Sequence, residues 1–142
     1  MWQRVQTLYL GIATALTVSL FFCNVVTIIG PEGEILTVKY YERLAYLLFM
    51  ISLLSAEVIS LLSFKTRMLQ MRVTVLAALL MTGFQIWLGV DFFIHRKEMV
   101  FSLTAIFPLV CAILDFMAAR AIALDEAMVQ SASRLRTSKR RK

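Results

Sequence analysis

Charge is what this chain has least of. Only 17% of its 142 residues are Asp, Glu, Lys or Arg, against roughly 25% in an ordinary soluble domain. A soluble fold of this length needs more polar surface than that to cover its core, so a water-exposed globule is excluded. Two cysteines exclude a disulfide scaffold, and a single histidine leaves little from which to build a metal centre. Glycine and proline are scarce, and neither occurs after Pro108, so no strong breaker interrupts the C-terminal part of the chain. What is abundant is apolar: 60% of the residues are hydrophobic and the mean hydropathy is +0.78, which excludes intrinsic disorder. The length allows one domain.

The charges that exist are spaced to leave long gaps. Residues 5–31 carry none, 44–64 carry only Glu57, 73–90 carry none, and 99–119 carry only Asp115. Crossing the hydrocarbon core takes about 20 mostly apolar residues at ~1.5 Å rise each. The sequence therefore predicts an all-α membrane protein with four transmembrane helices, at about 5–29, 44–64, 73–94 and 99–119. Short connections favour an up-down antiparallel bundle. Residues 1–120 form the membrane domain, and 121–142 form a basic cytoplasmic tail, helical to about 135. Buried helices of a soluble bundle would show a polar face, which residues 5–20 and 73–81 lack. The first span is read as uncleaved: it is longer than the roughly 7–15 apolar residues of a signal peptide. Phe22 is also too bulky to precede the cysteine of a lipoprotein box.

Basic residues set the orientation. With four spans, the N-terminus, the second connection and the tail share one side and hold eleven Lys and Arg, against four in the first and third connections. Both termini are therefore expected in the cytoplasm, and the net charge of +6 is first a topology signal. Gly30-Pro31-Glu32-Gly33 stops the first helix, and the alternation over 35–40 fits a short strand or hairpin arm. Tyr40, Tyr41, Tyr46 and Trp87 at one edge, and Trp2 and Tyr9 at the other, fit aromatic belts. Pro108 is expected to kink the fourth span by freeing the Thr104 carbonyl.

The tail combines a loose apolar stripe (Ile122, Met128, Val129, Leu135) with the charged residues Asp125, Glu126, Arg134, Arg136, Lys139, Arg140, Arg141 and Lys142. Polybasic segments beside a membrane are drawn to anionic lipid, so lipid head groups or a membrane or cytoplasmic protein are the partners this tail would meet. Nucleic acid is disfavoured, because no aromatic residue is interleaved with the terminal basic run to stack on bases.

Three constellations bear on chemistry. Cys23 and Cys111 differ in predicted depth by roughly 15 Å of helical rise, more than the ~7 Å between Cα atoms that a disulfide allows, so both are packing residues. His95, with Asp91 and Glu98 three or four positions away, is too thin a set for a metal and reads as a surface histidine. The acids inside the spans matter most. An ionised carboxylate in the bilayer is costly, so such an acid faces the bundle, pairs or carries a proton. Glu57 is the candidate intramembrane site, with Thr14, Thr82 and, one turn further out, Gln85 as hydrogen-bond partners. Asp115 is expected to pair at the interface with Arg4, Arg72 or Arg120. Gln6 and Thr7 join Arg4, Asp115 and Arg120 in a cytoplasmic-edge cluster linking the first helix to the fourth. Small residues at Gly11, Ala15, Ser19 and Cys23, and at Ser52, Ala56 and Ser60, mark the expected close helix approaches. No phosphate loop, nucleophile elbow or metalloprotease helix is present, so neither an enzyme nor a cofactor is expected.

The two ends carry a resemblance. Met1-Trp-Gln-Arg-Val-Gln-Thr-Leu-Tyr-Leu10 opens the chain, and Asp115-Phe-Met-Ala-Ala-Arg-Ala-Ile-Ala-Leu-Asp-Glu-Ala-Met-Val-Gln-Ser-Ala-Ser-Arg-Leu-Arg136 closes it. These resemble the end motifs of a family of small four-span inner-membrane proteins of Bacteroidota, labelled a domain of unknown function. The matching residues are Arg4, Gln6, Thr7, Tyr9, Arg120, Asp125, Glu126, Ser131, Arg134 and Arg136. Gln130 and Ser133 stand where the family pattern has a basic and an acidic residue, so no salt-bridge network is implied there. The resemblance implies a bacterial inner-membrane location and no activity. Two functions fit the residues: a non-enzymatic scaffold or accessory subunit with a basic tail, and a small proton- or cation-coupled transporter using Glu57. Four spans enclose little volume, so transport would call for a homo-oligomer. The scaffold is favoured, because the sequence shows no second acid paired with Glu57.

Overall fold

A computed structural model describes residues 2–97 and 99–140, with only the backbone for 2–4 and 99. Four helices dominate it: α1 (Trp2–Phe22), α2 (Leu44–Leu62), α3 (Arg67–His95) and α4 (Phe107–Arg140). Each is long and apolar enough to cross a membrane. Three strands interleave with them: β1 (Asn24–Ile29), β2 (Ile35–Lys39) and β3 (Met99–Phe101).

The first helix stops at Phe22, short of the expected end near 29. Residues 25–29 are Val-Val-Thr-Ile-Ile, and β-branched side chains are stiff on a helix but fit a pleated surface. They form β1, at the centre of a sheet ordered β2-β1-β3 with both pairings antiparallel. Val26 faces Val38 on one side and Phe101 on the other. The register slips between Asn24 and Val26, and the carbonyls freed there are taken up: Ser102 N–H donates to Val25 O at 2.9 Å, and Thr104 Oγ1 to Asn24 O at 2.9 Å. The expected arm over 35–40 is thus one edge of a three-stranded sheet. Its turn closes with Gly30 N–H on Glu34 O at 2.9 Å, and Gly33 takes φ +81°, open to glycine at little cost.

The remaining helix limits also differ from expectation. The fourth helix starts at Phe107 rather than near 99, because β3 and a 3-10 turn (Leu103–Ile106) occupy the approach. Pro108 therefore sits in the first turn, where a missing N–H breaks no helical bond, and no kink arises from it. Helix α3 begins at Arg67, and α4 runs unbroken to Arg140, past the expected 135.

Helix α1 packs on α2 and α4, and α3 packs on the same two helices. On α1 the buried positions are Gln6, Leu10, Ala13, Thr17 and Leu20, the alternating four and three spacing of a helix seam. The Gly11–Ala15–Ser19–Cys23 stripe is not that seam: its members are half-buried or exposed, and a methyl added at Gly11 would meet nothing within 4 Å. Close approach comes instead from alanines, at Ala13, Ala77, Ala78, Ala112, Ala118 and Ala119. In α2, Ala56 and Ser60 are buried as expected, while Ser52 is exposed. The outward faces remain apolar, with Leu8, Ile12, Leu48, Ile51, Leu79, Ile86, Ile113 and Phe116 all exposed.

The two ends of the bundle differ. The sheet lies at one end of the helices, and β1 shares a core with them through Leu20, Val25, Val26, Met50, Leu53 and Met81. Tyr40 and Tyr46 belong to that core and not to a belt. They are 0% and 2% exposed and meet Phe84 at ring-centroid distances of 6.3 and 5.8 Å. Of the expected belt residues at that end, Tyr41 and Trp87 are exposed. At the other end the start of α1 meets the α2–α3 connection, where Gln6, Thr7, Phe64, Arg67 and Gln70 enclose a small pocket.

Candidate functional site

Helices α1, α2 and α4 each contribute a fully buried polar side chain to one group in the bundle. Thr17 lies on the buried seam of α1, Glu57 beside Ala56 on α2, and Asp115 one turn after Cys111 on α4. All three are 0% exposed, as is Cys111. Thr17 Oγ1 makes the central contacts: 3.0 Å to its own Ala13 O, 2.8 Å to Glu57 Oε1 and 3.9 Å to Cys111 Sγ. Cys111 Sγ in turn lies 3.7 Å from Ala13 O. Glu57 Oε2 and both carboxyl oxygens of Asp115 are buried without a hydrogen-bond partner. Glu57 and Cys111 thus meet at the same Thr17 hydroxyl, with Asp115 one turn beyond Cys111 on α4.

This arrangement departs from the sequence expectation at three points. Thr14 and Thr82 are not Glu57's partners; each hydroxyl donates back to its own helix, to Leu10 O and Ala78 O, both at 2.8 Å. Gln85 leaves a buried carbonyl oxygen unpaired and makes no bond to Glu57. Asp115 forms no interfacial ion pair with Arg72 or Arg120, because the seam of α4 turns it inward among Cys111, Ala112 and Ala118. The side chain of Arg4 lies outside the described residues. Thr17 was missed; the Leu10–Ala13–Thr17–Leu20 spacing was the signal that would have found it.

The edge cluster also divides. Gln6 and Thr7 stay near Arg67 and Gln70, Asp115 goes to the core, and Arg120 lies exposed on α4. The link across this end is instead an ion pair at 3.3 Å between Arg67 of α3 and Asp125 of α4. Beyond it, Glu126 accepts a bond from Gln130 at 3.2 Å, and Arg134, Arg136, Lys139 and Arg140 are exposed. Arg141 and Lys142 lie outside the described residues.

At the sheet end Asp91 gathers three partners: Arg43 at 3.0 Å, His95 at 3.1 Å and the hydroxyl of Tyr46. His95 is a partly exposed surface histidine, as expected, that meets Asp91. No group of three metal-ligating side chains forms among the described residues. Close by, burial pushes the Tyr40 phenol up to about 12.

The family model for a domain of unknown function, DUF4293, matches residues 2–135. The chain belongs to this family. The matched range takes in all of α1, α2 and α3, and α4 as far as Leu135. It therefore includes the buried Thr17–Glu57–Asp115 group and the Arg67–Asp125 pair, while Arg136, Lys139 and Arg140 fall beyond it. No curated protein and no solved structure matches the chain.

Proposed function

We propose that this DUF4293 chain is a multi-pass protein of a bacterial inner membrane, with both termini in the cytoplasm, and serves as a non-enzymatic scaffold or accessory subunit. The length and continuity of α4 carry this reading. Its 34 residues extend roughly 50 Å at ~1.5 Å each, against about 30 Å of hydrocarbon. The surplus lies in the C-terminal turns, where residues 127–140 are exposed. The Arg67–Asp125 pair fixes the base of this projection to α3, so the helix leaves the bundle in a defined direction. Its end combines exposed Met128, Val129 and Leu135 with a basic run suited to a protein partner or anionic head groups.

The test is a chain ending after Gln130, which keeps Asp125 and the bundle. It should reach wild-type abundance in membranes yet lose the proteins that co-purify with the full chain in mild detergent. Retention of the same partners and of cellular function would overturn the scaffold role.

A second reading, a proton- or cation-coupled transporter acting as an oligomer, is favoured by one observation. Asp115 is as deeply buried as Glu57 and lies one turn from Cys111, which meets the same Thr17 hydroxyl, supplying the second acid on whose absence the preference for a scaffold rested. Under this reading Glu57→Gln and Asp115→Asn remain folded but abolish cation-dependent flux in proteoliposomes. Under the scaffold reading both variants keep their partners.

A further inference from the structure

Six described arginines form no ion pair, and two of them, Arg72 and Arg120, lie beside the bundle and not on the projecting tail. Arg43 and Arg67 meet carboxylates. Among the described residues Arg72 on α3 and Arg120 on α4 form no ion pair, and both are exposed. They rim the same groove, a space of about 490 Å³ between α3 and α4 whose walls are Met71, Val75, Phe116 and Ala123. Arg120 also rims a second apolar groove, about 230 Å³, between α1 and α4, which contains Tyr9, Met117 and Leu124. The acid in that second groove, Asp125, is already held by Arg67. Two uncompensated guanidinium groups thus share the edge of an apolar trough, with a second trough opening beside one of them.

We propose that the groove between α3 and α4 binds an anionic phospholipid, its phosphate held between Arg72 and Arg120 and an acyl chain lying on Met71, Val75, Phe116 and Ala123. Charge complementarity selects this occupant. Guanidinium groups bind phosphate oxygens through paired N–H donors, and basic pockets between membrane helices are sites for anionic head groups. The apolar walls favour a lipid over a free phosphate, which has no chain to place there. The adjoining groove accepts a second chain of the same lipid, because Arg120 lies on the boundary of both. The site is distinct from the basic tail, whose residues lie further along α4. It rests on the reading of the helices as membrane spans, and not on the role given to the tail.

The experiment uses the full chain in neutral detergent, titrated with phosphatidylglycerol, phosphatidylcholine or inorganic phosphate, with bound lipid counted by native mass spectrometry. Phosphatidylglycerol should bind in preference to phosphatidylcholine, and inorganic phosphate should not compete. Arg72→Gln and Arg120→Gln should each weaken phosphatidylglycerol roughly fivefold, the weight of one basic residue at an anionic surface. Ala123→Phe, which fills the groove and keeps both arginines, should weaken it as well. Lys139→Gln with Arg140→Gln should leave it unchanged. Equal binding of the two lipids, unaltered binding in the arginine or Ala123→Phe variants, or loss only in the tail variant would each overturn the site. Carbonate extraction of the chain from native membranes separates the failures. An extracted chain refutes the membrane-span reading itself, whereas a retained chain without lipid preference refutes this site alone.

Discussion

Thr17 is the residue on which the buried polar group turns, because one hydroxyl touches the backbone of α1, the carboxyl of α2 and the thiol of α4. Removing it strips Glu57 of its only hydrogen bond among the described residues and leaves both carboxyl oxygens unpaired. Unsatisfied buried polar groups cost about 1–3 kcal/mol. Thr17→Val, nearly the same shape, should therefore lower stability by that amount in detergent unfolding. Thr14→Val and Thr82→Val lose only a bond within their own helix and should stay within about 0.5 kcal/mol of wild type. An equal loss at Thr82 would mean that it, and not Thr17, holds Glu57. Tyr40 gives a second prediction, in pH. Its phenol is raised from 10.0 to about 12 by burial, so above the unfolded value the native state holds a proton that the unfolded chain has lost. The contribution is complete below pH 10 and is lost as the pH rises through the folded value. Tyr40→Phe should flatten the fall in stability between pH 10 and 12, and an unchanged alkaline slope would count against a buried phenol at this position.

At the scale of elements, helix content was legible and helix ends were not. Charge spacing located four apolar stretches, since length and hydropathy are additive along a chain. It cannot separate a helix from a buried strand in a short apolar run, and residues 24–29 are such a run. The deciding features were the β-branched residues at 25–29 and the breakers at Gly30, Pro31 and Gly33, which let β1 find β2 across a tight turn. Pro108 was misread for a related reason: a proline within an apolar stretch means a kink only when the helix has already begun. The small-residue stripe on α1 failed because small side chains permit close approach without demanding it, whereas buried alanines on all four helices show where approach occurs. The hairpin turn supports a third prediction. Gly33 has φ +81° with open space around it, so a side chain is opposed by backbone strain rather than by a clash. Gly33→Val should cost about 1–2 kcal/mol and speed amide exchange at Ile28, Ile29, Ile35 and Leu36. Unchanged protection would show that the sheet does not depend on this turn.

At the scale of the molecule, orientation is the property on which the functional proposals converge, and two observations bear on which segments share a side. One is the excess of basic residues at the N-terminus, the α2–α3 connection and the tail. The other is geometric. Gln6 and Thr7 of α1 share a pocket with Phe64, Arg67 and Gln70, and Arg67 reaches Asp125 of α4. The segments that the charge rule assigns to one compartment therefore meet at one end of the bundle. Strand β2, which the rule assigns to the other compartment, meets β1 and β3, from the outer ends of the first and fourth expected spans, in one sheet. These contacts join residues more than 50 positions apart in sequence, such as Arg67 and Asp125, which no local pattern reveals; the charge asymmetry, summed over loops, grouped the segments but not the pair. Reporter fusions after residue 68 and after residue 142 should both be active only as cytoplasmic reporters, and fusions near residues 36 and 95 only as exterior ones. Reversing the charge of Lys65 and Arg72 with glutamates should weaken insertion in this orientation while leaving Arg67–Asp125 in place. A periplasmic reporter signal at residue 142 with a cytoplasmic signal at residue 68 would remove one span from the count. It would also place the basic end of α4 where a cytoplasmic partner does not reach it, and the scaffold role would fall with the topology.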